Sequence, residues 1–151
     1  MYKLTLIVAG LLGISGVLWG CNSGKETVKE TENEVFAIHD EVMPKIDDIM
    51  KMKKQLKQRI ALLDSLKTTG SATAAVRTDE EKEQASRLSR NLIVADSLMM
   101  DWMSHYNGDT LTKLSSDDAL RYLSAQKDQI SDVKTKVNTS IEQAKQYLGK
   151  K

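Results

Sequence analysis

Six apolar residues, Val28, Val35, Val42, Ile49, Leu56 and Leu63, stand seven positions apart without a slip, and Ile38, Met52 and Leu66 occupy a second register between them. A seven-residue repeat held over so many turns makes one side of a helix apolar along its whole length, and that stripe is stable in water only against other helices. Lys45 and Arg59 take second-register positions, but Ile46 and Ile60 follow them and widen the stripe into a bundle face. The spacing predicts a rod over 28–67, about 60 Å long at 1.5 Å per residue. Pro44 lies inside it, lacking an amide proton and crowding the carbonyl of Asp40. Because the repeat passes through Pro44 unshifted, a kink is expected in preference to a helix boundary, for which Met43 would be a poor cap.

Two further stripes follow. Lys67 to Arg77 loses periodicity and contains Gly70, which reads as a loop, and Thr78-Asp79-Glu80-Glu81 has the pattern of a capping box. Ala85, Leu88, Leu92, Ala95, Met99, Trp102 and Tyr106 then alternate in steps of three and four, predicting a helix over 79–107 that Asn107-Gly108 ends through a left-handed residue. Ser115-Ser116-Asp117-Asp118 is a second cap, and Leu123, Ile130, Val133, Val137, Ala144 and Tyr147 predict a helix over 116–149, diluted by Gln126 and Ser140. A single proline and phenylalanine and few β-branched clusters argue against a sheet. The expected fold is all-α, an antiparallel up-down-up three-helix bundle with coiled-coil-like packing over 28–149.

The bundle is preceded by a different kind of segment. Lys3, an apolar run from Leu4 to Leu18, and then Trp19-Gly20-Cys21 reproduce the layout of a bacterial lipoprotein signal peptide over 1–20. About 15 apolar residues suit a cleavable leader better than the roughly 20 of a spanning helix, so an uncleaved anchor is the second choice. Cys21 is the only cysteine. In an oxidising compartment thioether lipidation would dispose of its free thiol, and the acyl chains would make attachment to the membrane permanent. Residues 21–27 read as the lipidated cysteine and a short polar tether. Trp19 departs from the usual small residue near such a cut, and Asn22, in place of aspartate, favours the outer membrane by analogy with enteric lipoproteins. The chain carries 22 Lys and Arg against 21 Asp and Glu. Loss of Lys3 makes it neutral, and nothing in that balance points to nucleic acid.

His39-Asp40-Glu41-Val42-Met43-Pro44-Lys45 and Met99-Met100-Asp101-Trp102-Met103, with the leader and a glutamine-rich third helix, resemble a family of small bacterial lipoproteins of which some carry the label viral A-type inclusion protein. The resemblance spans most of the mature chain. It implies the anchor and the helices, and no catalytic residue or cofactor.

Antiparallel pairing of the first two helices brings those two motifs level. His39, Met43, Met99, Met100, Met103 and His105 are soft or borderline donors that could meet around Cu(I) or a similar ion. The competing reading places Met99 in the core beside Trp102 and lets Asp101 hold His105 one turn away. Asp47-Asp48 and Asp117-Asp118 are adjacent on their helices and point about 100° apart, a poor arrangement for paired acid and base work, and no glycine-rich phosphate loop is present. Asp64-Ser65-Leu66, Asp96-Ser97-Leu98 and Asp109-Thr110-Leu111 match a short bacterial O-glycosylation pattern, of which Thr110 alone is expected in a loop; the Asn138 sequon falls within a helix. These features favour a non-enzymatic, lipid-anchored envelope protein with a helical surface for a protein or cell-wall partner. The alternative is a soft-metal binder using His39, Met43, Met103 and His105. Stripes this regular can also be buried between two copies of the chain.

Overall fold

The computed structural model describes residues 23–67 and 72–149. Cys21, the leader and Gly70 lie outside them. The described elements are α1 (Ser23–Val42), α2 (Lys45–Lys67), α3 (Ala72–His105), a short 3-10 segment (Gly108–Lys113) and α4 (Ser116–Leu148). No strand occurs among the described residues. The helices pack as three rods, with α1 and α2 together forming the first.

The heptad residues do what their spacing requires. Val35, Val42, Ile49, Met52, Leu56 and Leu63 are buried, and all but Leu63 share one core cluster with Ala85, Leu88, Leu92, Ala95, Met99 and Trp102 of α3 and Leu123, Ile130, Val137 and Ala144 of α4. Each fully buried Ile or Leu contributes about 1.5–3 kcal/mol from removal of apolar surface from water. Leu66, in the second register, is 49% exposed.

Interhelical hydrogen bonds give the directions of the rods. Lys127 to Glu34, Lys134 to Glu41 and Lys45 to Asn138 link residues whose numbers rise together, so α1 and the start of α2 run parallel to α4. Lys53 to Asp96 and Lys82 to Asp64 link numbers that fall as the others rise, so α2 and α3 are antiparallel. Asn107 to Tyr122, Asn91 to Gln143 and Tyr147 to Glu81 set α3 antiparallel to α4 in the same way.

Four boundaries differ from those expected. The rod over 28–67 is divided at Met43 and Pro44 rather than kinked as one helix. The Met43 amide still donates to His39 O at 2.9 Å, Pro44 has no donor for Asp40, and the Ile46 amide reaches back only three residues to Met43 O at 3.1 Å. The polar stretch expected as a tether is helical from Ser23, because Gly24 lets α1 lie against the start of α4; a Cβ there would meet Ser116 Oγ at 3.0 Å. The second helix starts at Ala72 instead of at a Thr78 cap, since alanine-rich Ala72-Thr73-Ala74-Ala75 has high helix propensity and Thr78 turns its hydroxyl back to Ala74 O. It ends at His105, and Asn107 is extended (φ −129°, ψ 90°) with no positive φ among the described residues, its amide donating to Tyr122 Oη at 2.9 Å. Ser115 caps α4 as expected, accepting from the Asp118 amide, and the helix stops at Leu148.

Candidate functional site

Two places on the bundle hold polar chemistry that packing alone does not use. The first is where α1 ends against the last turns of α3. His39 Nδ1 donates to Asp40 Oδ1 at 2.9 Å, and its Nε2 lies 3.4 Å from Met103 Sδ. Steps of three and four along each helix put aromatic rings around this pair. His39 and Trp102 are 5.7 Å apart between centroids, Phe36 meets His39 edge-on at 6.4 Å, and Tyr106 stands 5.2 Å from Phe36 and 5.3 Å from Trp102. Tyr106 donates its hydroxyl to Glu32 at 2.9 Å. Burial, and then the hydrogen bond to Glu32, push its phenol well above the ordinary value of 10.0.

The expected donors do not all arrive here. Met43 is half-buried against the core, one helical turn beyond His39. Met99 is fully buried, as the core reading had it, and Met100 is 42% exposed. His105 does not join. Two residues after Met103 it points about 200° away around the helix, and it stays 75% exposed with Nδ1 on Asp101 O at 2.8 Å. Among the described residues no group of three or more His, Cys, Asp or Glu side chains gathers into a metal site. Thr110 sits half-buried in the 3-10 segment and not in an open loop.

The second place is the face shared by α3 and α4. Three depressions run along it, joined through Lys136, Asn91 and Gln143. The largest, 590 Å³, lies between Leu98, Asp101 and His105 on α3 and Gln129, Asp132 and Lys136 on α4. Arg87 and Arg90 border the far end, where the depression measures 510 Å³. Val94 (55% exposed) and Leu98 (37%) are the apolar steps between. Arg90, Asp132 and Lys136 form no ion pair with any described residue. Beside the larger depression, Trp102 Nε1 and Gln126 Oε1 are buried without a hydrogen-bond partner.

Sequence reasoning missed this groove, because it looked for donors on the α2 side of α3. The signal was present as a ridge one residue ahead of the core stripe, polar at Arg87, Asn91, Asp101 and His105 and apolar at Val94 and Leu98. The paired aspartates stand in the first turns of α2 and α4, and two of them have partners: Asp48 faces Lys51 and Lys145, and Asp118 bonds Ser115 and Arg121, the Ser115 hydroxyl first among the groups that hold its carboxyl below the usual range. No helix among the described residues is long and apolar enough to cross a membrane. No protein-family model matches the chain, and no curated protein or solved structure matches it either.

Proposed function

We propose that this chain is a non-enzymatic protein of the bacterial envelope, anchored through a lipidated Cys21, whose bundle receives an amphipathic helix of a protein partner along the α3–α4 face. The observation that carries this reading is the groove, with its exposed Val94 and Leu98 and its unpaired charges. A helix laid there would complete a fourth side of the bundle, which is the helix-in-groove mode of recognition. Ala95 and Ser140 border the middle of the groove and let a backbone approach closely. Arg90 at one end calls for an acid on the partner, and Asp132 at the other for a base. The leader and the likeness of two motifs to small bacterial lipoproteins support the anchor, and Asn22 after the cysteine supports an outer-membrane address.

Site-specific photocrosslinking in intact cells tests this. A photoreactive residue at Val94 is expected to trap one discrete protein, whereas the same residue at Lys57, exposed on α2, traps none. Absence of an adduct at Val94, or the same adducts from both positions, removes the groove as the docking face; an adduct with the mass of two copies makes the occupant a second copy of this chain. Recovery of the intact protein in the aqueous fraction of a detergent partition removes the lipid anchor.

A further inference from the structure

Of the seven methionines, all but Met1 fall within 43–52 and 99–103, and the antiparallel packing of α2 on α3 brings these two stretches together. Met52 and Met99 are core residues at 5% and 0% exposure, but Met50 and Met100 are 54% and 42% exposed, more than gap-filling in a core requires. At the same level His39 faces Met103. Asp40 accepts the Nδ1 proton of His39, which fixes the ring with Nε2 turned toward a thioether that has no proton to give. An imidazole nitrogen and a thioether sulfur, both able to bind a soft ion, thus stand 3.4 Å apart.

We propose that His39 Nε2 and Met103 Sδ, with Met43 and Met100 from the adjoining turns, form a binding site for a soft monovalent cation of the Cu(I) or Ag(I) class. With zinc-site bond lengths as a gauge, about 2.0 Å to nitrogen and about 2.3 Å to sulfur, two donors at a tetrahedral angle stand about 3.5 Å apart, close to the spacing already present. Met43 stacks on the turn of His39, their backbones joined by the hydrogen bond at 2.9 Å, and Met100 precedes Met103 by one turn of α3. One imidazole with thioethers and no carboxylate or thiolate suits a soft d10 ion and disfavours zinc, calcium or magnesium. The Asp40 carboxylate orients the ring from behind, and Trp102 and Phe36 pack against it. His105 takes no part. The site lies on α1, the turn between α1 and α2, and α3; it shares only Trp102 with the lining of the α3–α4 groove, and it does not rest on the partner-docking reading.

The test uses the full chain in detergent micelles with Cys21→Ser, which removes the one competing thiol. Ag(I) serves as a probe that needs no reductant, and Cu(I) is measured by competition with a chromogenic chelator. One equivalent is expected to bind with a dissociation constant below about 1 μM, weakened about tenfold or more by Met103→Leu and by His39→Asn, and unaffected by Met52→Leu. Methyl resonances of labelled methionine report the geometry: those of Met43, Met100 and Met103 are expected to move on titration while those of Met52 and Met99 stay in place. Binding no tighter than about 1 μM, or unchanged affinity in Met103→Leu, would each overturn the proposal.

Discussion

Gln126 is the residue at which this bundle departs furthest from an economical core. It is 8% exposed on a stripe otherwise made of Leu123, Ile130, Val133 and Val137, and its Oε1 has no partner. A buried acceptor without a donor costs on the order of 1–3 kcal/mol. Gln126→Leu, close in volume and without the orphaned carbonyl, is therefore expected to raise unfolding free energy by about 1 kcal/mol, read as a higher urea midpoint at unchanged slope. A lower midpoint would mean that the amide is satisfied in solution. Spacing identified Gln126 as a polar interruption but not as an unpaired one, because its surroundings come from α3, whose register against α4 no repeat in the chain encodes. His105 is the opposite case: counting two residues on from Met103 suffices to turn it away, and sequence proximity to the methionines had obscured that.

Among the elements, the stripes were legible and the ends were not. Burial follows a period of seven, so Val35 through Leu63 and Ala85 through Trp102 were identifiable one by one. Helix starts depend on competition between neighbouring residues: Thr78 has the form of a cap, yet the alanines before it extend the helix and leave Thr78 bonded to Ala74 O. The division between α1 and α2 has a narrower cause, since helical bonding fails only where Pro44 stands and resumes within a turn on either side. Pro44→Ala supplies the missing donor to Asp40 and relieves the ring clash. It is expected to join the two helices, protect the new amide from hydrogen exchange and add about 1 kcal/mol, less than the roughly 3 kcal/mol of a proline in an undisturbed helix interior. A rapidly exchanging amide at that position would assign the division to the packing of α1 on α4 and α2 on α3.

Across the whole molecule, charge ties rods that the apolar stripes align. Glu41 accepts from Lys134 of α4 and from Lys45 on its own rod, and hydrogen bonding to Lys134, then to Lys45, holds its carboxyl below the ordinary 4.5. Asp118 is held below 3.8, first by Ser115 and then by Arg121. A carboxyl with a depressed folded-state pKa contributes stability that is complete above its unfolded value and is lost as pH falls through the folded one. Thermal midpoints are thus expected to be level from neutrality down to the ordinary carboxylate range and to fall below it. Glu41→Gln should reduce that acid-side slope, and added salt should do the same, since both carboxyls face solvent. An acid limb unaltered by Glu41→Gln would show that this bridge contributes nothing.

With Gly24 seated on Ser116, α1 and α4 set out side by side from one pole of the bundle. If the N-terminal end is fastened to a bilayer, that pole becomes the foot, and the close of α4 stands about 50 Å higher. The groove then has an up and a down, with Asp101 and Asp132 toward the lipid and Arg87 and Arg90 away from it, so a partner helix arriving from above would enter with its basic end leading.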